Sequence, residues 1–278
     1  MDAPDFDISG YALLDHESLG YTFSNLHPVE LFQGSVVRPS LAALDAEISR
    51  LQASDDPANR FFSSHLEDLF QASVEGYVLT TQAMWERGLR SMLLTREKKL
   101  ATGIGLEKIE RAVWRLANGT KGNDLHQIFE KLMGFPISAF DAYEDLDLLQ
   151  SLGNAIRHGD GAAARRVHEL APGLWWNWIP PGETYMAGPF QVTTPEDGPT
   201  HPSFSAITMP QVLLEQMIQS VLWFWQDIES IRCNSFERKD VSVVRHLASL
   251  SAERALRASK RVWFPSSNVA APEGPPGS

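Results

Sequence analysis

The chain has 278 residues, 43% of them hydrophobic and 21% charged, with a formal net charge of −11. This composition fits one large globular domain or a domain with appendages, and its acidity argues against a protein that coats nucleic acid, since phosphate neutralisation needs basic surface. The one cysteine, Cys233, excludes an intrachain disulfide and a Cys-based zinc site.

No apolar run approaches the ~20 residues of a membrane span. The acidic start Met1-Asp2-Ala3-Pro4-Asp5 lacks the basic-then-apolar order of a signal peptide. No membrane contact is expected, and a reducing cytoplasm is the expected location.

Residues 1–35 read as irregular, with turn formers Gly10, Gly20, Pro28 and Gly34. A short helix over 40–53 ends at Asp55-Asp56-Pro57. A long helix over 58–99 follows, with Leu66, Leu69, Phe70, Val74, Val78, Met84, Trp85, Leu89 and Leu93 at near-3.6 spacing. Its length predicts a kink or break near Gly76. Further helices are expected over 106–117, stopped by Asn118-Gly119, and over 123–133, stopped by Gly134-Phe135-Pro136. The next helix spans 141–158. Asp141 and Glu144 match a capping pattern at its start, and Gly159 stands where a left-handed residue ends a helix. Residues 160–170 are expected to be helical. The Trp175-Trp176-Asn177-Trp178 segment and Tyr185 to Val192 read as a β-hairpin or ordered aromatic loop.

Pro210 suits the first turn of a helix to about 230, with Val212, Leu213, Met217, Val221, Leu222 and Trp225 facing the bundle. Residues 231–278 hold eight basic residues against four acidic ones, +4 in a chain of −11, which leaves −15 before them. Residues 240–262 read as helical, and the Pro/Gly/Ser/Ala-rich end as disordered. The organisation is thus an irregular segment and short helix at 1–57, a helical bundle at 58–230, a basic C-terminal helix at 231–265 and a tail at 266–278. The fold class is all-α, a helical bundle with a small β-hairpin or aromatic-loop insertion.

The most informative run is Leu148-Leu149-Gln150-Ser151-Leu152-Gly153-Asn154-Ala155-Ile156-Arg157-His158-Gly159-Asp160-Gly161. Asn154 and His158 are four residues apart and share a helix face. Asp147 and Ser151 extend that stripe, while Leu146, Leu149, Leu152 and Ile156 form the apolar one. A polar line that ends in a histidine at a helix terminus has the makings of an acid/base site.

This run, a preceding long helix with Met84-Trp85-Glu86-Arg87-Gly88-Leu89-Arg90, and a closing apolar helix at 210–230 resemble the HEPN superfamily of bacterial toxin–antitoxin and antiviral proteins. The resemblance covers roughly residues 58–230. The family's signature is Arg-polar-x-x-x-His near a helix end. Asn154 and His158 match it, and Gly153 stands where the arginine belongs. The resemblance implies an HEPN-like bundle and metal-independent RNA cleavage in a composite site between two copies. It implies no cofactor and no metal. It also implies RNA or a nucleotide as ligand, a homodimer, and a partner or antitoxin protein.

The chemistry is consistent with that implication. Metal-free RNA cleavage needs proton transfer, for which a histidine near pKa ~6.5 is suited, and a positive fork against phosphate, for which arginine is suited. His158 would be the acid/base group and Asn154 the orienting group. Arg157 is either a phosphate contact or a solvated helix-end cation, since it lies ~100° around the helix from His158. Gly153 is either a site of close helix approach, within the chain or across a dimer axis, or a catalytic position that has lost its arginine. His158 itself is either catalytic or a structural cap.

Other candidates carry less. His126 and Glu130 are four apart but read as a surface pair. Gly103-x-Gly105 lacks a dinucleotide-loop context, and Ser63-Ser64-His65 lacks a nucleophile elbow. Trp175, Trp176 and Trp178 could stack bases, but read better as packed core or a partner surface, because no basic residue occurs between Trp175 and Pro202. Arg254, Arg257 and Arg261 form a helical stripe that reads as a solvated face, or as a contact for RNA or an acidic partner. Three functions remain open: an HEPN-like ribonuclease or effector of a toxin or antiviral system, a catalytically inactive HEPN-like module for protein interaction or nucleotide binding, and an unrelated helical scaffold.

Overall fold

The computed structural model describes residues 8–20, 22–114 and 124–265. It is mostly helical, with one two-stranded antiparallel sheet. The α-helices are α1 (Phe23–Leu31), α2 (Arg38–Gln52), α3 (Pro57–Leu100), α4 (Leu106–Glu110), α5 (Leu125–Met133), α6 (Tyr143–His158), α7 (Ala162–Leu170), α8 (Gln211–Asn234), α9 (Val241–Ala255) and α10 (Arg257–Lys260). Strands β1 (Thr184–Ala187) and β2 (Phe190–Thr193) form a hairpin between α7 and α8. Among the described residues no helix is long and apolar enough to cross a membrane.

Helix α3 is the axis of the fold. Asp56 caps it through the Ala58 N–H at 2.9 Å, with Pro57 in the first turn, an arrangement that satisfies one orphan donor and removes another, since proline has no N–H. The helix runs for 44 residues and packs on α1, α2, α4, α5, α6 and α8. It continues through Gly76 without the expected break, because the packing of α2 along its first half supports a length that propensity alone would not. Its inner stripe, Val74, Val78, Trp85, Leu89 and Leu93, is fully buried, whereas Leu69 is exposed. The C-terminus is held by Glu97, whose carboxylate accepts from the Thr102 hydroxyl and from the N–H groups of Thr102, Ile104 and Gly105.

Several expectations are corrected. Part of the stretch 1–35 is helical: α1 passes through a π-helical stretch, Phe32–Val37, directly into α2. Pro28 sits inside α1 rather than in a turn and is itself exposed; the helix packs on α3 and α8, and its Leu26 and Val29 are buried, which offsets the missing backbone bond. Helix α4 ends at Glu110, and a bridge between Val113 and Asp124 follows. The expected Asn118-Gly119 stop and the tail at 266–278 lie outside the described residues. Neither Asp141 nor Glu144 caps α6 with its side chain. Asp141 instead pairs with Arg254 at 2.8 Å and Arg257 at 3.6 Å.

The arginine stripe is a correction too. Arg254, Arg257 and Arg261 do not form a solvated face; they dock on the bundle. Arg254 and Arg257 reach Asp227 on α8 at 3.0 and 2.7 Å, Arg257 also donates to the Trp223 carbonyl, and Arg261 pairs with Asp145 on α6. The Val262 N–H donates to Gln216 at 3.1 Å and Trp263 is buried. Burial pushes the Asp145 and Asp227 carboxyls above the usual carboxylate range, against the lowering effect of their hydrogen bonds and arginine partners.

Two predictions follow from these contacts. Arg257→Ala should destabilise the chain by about 1.5–3 kcal/mol, the cost of removing one charged hydrogen-bond partner from a buried carboxylate that keeps Arg254, while Asp227→Leu combined with Arg257→Met should recover most of it; urea unfolding of the three proteins is the measurement. Burial pushes the Glu97 carboxyl up, but the hydrogen bonds from Thr102, Gly105 and Ile104 outweigh this and hold it below its ordinary value. Its stabilisation is therefore present above the unfolded-state value and lost as pH falls through the folded-state value. Glu97→Gln should lower the urea midpoint near neutrality and flatten its acid-side fall.

Candidate functional site

The predicted residues Asn154, Arg157 and His158 lie in the last turns of α6. The helix ends where Gly159 takes a positive φ of 68° and returns its N–H to the Ala155 carbonyl at 2.7 Å, a conformation open to glycine at no steric cost. Asp160 then accepts from the Ser203 hydroxyl at 3.0 Å and the Phe204 N–H at 2.5 Å, which ties the segment leading into α8 to this helix end.

The expected polar stripe divides into two halves. Asp147 and Ser151 are buried. The Asp147 carboxylate accepts from the Trp114 indole N–H and from Arg166, each at 3.0 Å, and the Ser151 hydroxyl donates to the Asp147 carbonyl at 2.9 Å. This half borders a cavity of about 390 Å³ lined by Tyr143, Glu144, Asp147, Arg166, Glu169 and Pro265, among others. Asn154 is half-buried and His158 exposed. No hydrogen bond or ion pair holds His158 among the described residues, so a structural role as a carbonyl cap is not what the geometry displays.

Arg157 is exposed, and its guanidinium is at the same time hydrogen-bonded back to the bundle. It donates to the Gln82 side-chain carbonyl on α3 at 2.6 Å and to Asn154 Oδ1 at 3.4 Å. Gln82 is fully buried, and its amide donates to Gln150 Oε1 at 2.7 Å and Glu86 at 3.2 Å. Glu86 pairs in turn with Arg90, which donates to the carbonyls of Ile109 and Glu110. A polar ladder thus joins α3 to α6, and Arg157 is its outer rung.

Gly153 faces the same glutamine. A Cβ at this position would lie 2.5 Å from Gln82 Oε1 and 2.6 Å from its Cδ, closer than real Cβ atoms approach. The close helix approach weighed from the sequence is therefore present, and it is within the chain. Gly153 is buried within the protomer, so the approach needs no second copy.

Of the other candidates, His126 stacks edge-on against Trp114 and Tyr143 at centroid distances of 4.3 and 5.7 Å, while Glu130 points to the exposed side. Trp175 is buried and donates to the Ser203 carbonyl, and Trp178 packs on His168. The buried carboxylates Asp145 and Asp227 escaped sequence reading. Their one signal was an acidic residue within an apolar helix face, opposite an arginine-rich segment. Comparison with known protein families, curated proteins and solved structures returns no match.

The Gly153 contact generates a test. Gly153→Ala should cost about 1–3 kcal/mol through overpacking. With Gln82→Ala already present the same change should cost less, with a coupling of at least about 0.5 kcal/mol in a double-mutant cycle read by urea unfolding.

Proposed function

We propose that this chain is a catalytically inactive, HEPN-like helical module that binds a partner protein. The observation that carries this reading is the closure of position 153 by Gln82 together with the engagement of Arg157 by the same side chain. A nuclease site of the resembling kind needs a cationic fork beside its histidine. Here the Gln82 side chain fills the fork's expected position, so a longer residue there would have to displace it, and the neighbouring exposed guanidinium is hydrogen-bonded to the same glutamine.

The hairpin supports the partner-binding half of the reading. In its register Tyr185 pairs with Val192 and Ala187 with Phe190, so these four side chains share one face. All are exposed, Phe190 at 71%. An isolated two-stranded hairpin is marginal in water, and an apolar face on one is a characteristic docking element. No Lys or Arg occurs between Arg166 and Arg232, so electrostatics favour a protein over a phosphate backbone at this end.

The ribonuclease reading keeps one point in its favour, the placement of the half-buried Asn154 and the exposed His158 on one helix end. Cleavage assays separate the two. Purified wild type and His158→Ala should leave labelled RNA equally intact, and expression of either should not arrest growth. Phe190→Asp should leave the melting temperature within about the range of an ordinary surface change, while it abolishes a discrete adduct formed by a photo-crosslinking residue at Tyr185 in the native cell. RNA cleavage that His158→Ala removes would overturn the reading in favour of the nuclease.

A further inference from the structure

Glu229 and Cys233 are four residues apart on α8 and leave the helix on one face. Helix α9 packs along α8 and brings His246 to the same place. Glu229 Oε1 lies 3.3 Å from Cys233 Sγ and 3.4 Å from His246 Nε2. The three ligand-capable atoms lie within 4.8 Å of one another. In a tetrahedral zinc site, the bond lengths of its S, N and O ligands put neighbouring ligand atoms roughly 3.3–3.6 Å apart. The two contacts to Glu229 already have the length of such tetrahedral edges.

Two further features fit a ligand set better than a plain ion-pair cluster. His246 Nε2 is enclosed and makes no hydrogen bond, although the rest of the side chain is 39% exposed. Arg232 already grips both Glu229 oxygens at 2.7 Å, and the Thr22 hydroxyl donates to Oε2. The carboxylate is therefore neutralised without help from His246 or Cys233. Outer hydrogen bonds of this kind are those that orient a ligating carboxylate. Without a metal, burial and Glu229 push the Cys233 thiol up to about 12, so it is not a nucleophile at neutral pH.

We propose that Glu229, Cys233 and His246 form a binding site for one divalent cation of the zinc type, with a fourth coordination position left for solvent. One sulfur, one imidazole and one carboxylate suit a borderline-soft ion and not magnesium or calcium, which take oxygen ligands. The single cysteine rules out a zinc site built on several cysteines but not one in which it is one ligand of three. Binding exchanges the thiol proton for the metal: Cys–SH and M²⁺ give a metal thiolate and H⁺, with no change of oxidation state. The Arg232 guanidinium, 3.9 Å from Sγ, opposes the added charge and makes the site weaker than the same ligands would be alone. The site is independent of the partner-binding reading.

The test uses the full chain, freed of metal and titrated with Zn²⁺ against a chromophoric chelator. One equivalent should bind, with release of about one proton read from the heat in buffers of different ionisation enthalpy. Co²⁺ should give a thiolate-to-metal charge-transfer band, and Zn²⁺ should protect Cys233 from alkylation. Cys233→Ser and His246→Ala should each remove the band or shift it and weaken Zn²⁺ binding by more than about 100-fold, beyond the loss typical of outer partners; His158→Ala should bind as wild type does. If Cys233→Ser fails to fold by circular dichroism, His246→Ala, at a partly exposed position, decides. No uptake at one equivalent, no charge-transfer band in wild type, or equal affinity in wild type and His246→Ala overturns the proposal.

Discussion

Asp145 on α6 and Asp227 on α8 are both buried, at 0% and 1% exposure, and each meets an arginine that arrives from the far end of the chain. A carboxylate withdrawn from water carries a desolvation cost of several kcal/mol, and partial compensation is not enough. Here compensation is dense. Asp227 accepts from Arg254 and Arg257, and Asp145 accepts from Arg261, from the Ser220 hydroxyl at 2.5 Å and from Gln216 at 3.0 Å. The acids sit on two central helices, so the bundle is completed only when residues 254–263 lie across them. The basic C-terminal segment is thereby part of the fold: Arg254, Arg257 and Arg261 pair with acids of the bundle, while Arg238, Lys239, Arg245 and Lys260 stay exposed.

The same constraint explains the site at the end of α6. That helix is buried from Asp145 to Gly153 on every face, because α3, α7 and α8 surround it. Polar side chains in such a helix must find partners within the protein. Asp147 finds Trp114 and Arg166, Gln150 finds Gln82, and Arg157 reaches inward to the same glutamine. Only the last turn emerges, and with it Asn154 and His158. At Gly153 the Gln82 side chain occupies the space a charged fork would enter, so the ladder that joins the helix pair also limits the chemistry available there.

At the opposite extreme of burial, the hairpin between α7 and α8 contributes no residue to the core; its eight strand residues are all exposed. With an exposed apolar face and no Lys or Arg in the surrounding sequence, it is disposed for recognition rather than stability. The cluster around Glu229 combines the two features: two of its members are buried on α8, while the third comes from α9, a helix with no buried residue of its own. A ligand shared by α8 and α9 would fasten a helix without buried residues to one of the most buried among the described residues.

Local sequence signals determined the helical class, the Asp55-Asp56-Pro57 start of α3, the ends of α5 and α6 at Gly134 and Gly159, and the hairpin at 184–193, because caps, turn residues and apolar periodicity act over a few residues. The placement of Asn154, Arg157 and His158 on one helix end was legible for the same reason. Tertiary structure alone decided what those residues touch. Pro28 lies inside a helix because α3 and α8 support it, α3 runs through Gly76 because α2 packs along it, and Arg257 faces Asp227 across 30 residues of sequence. Gly153 meets Gln82 across 71 residues, and Glu229 meets His246 from a different helix. Charge–charge and close-packing contacts of this kind depend on which helix faces are brought together, and periodicity gives the faces of each helix without giving its neighbours.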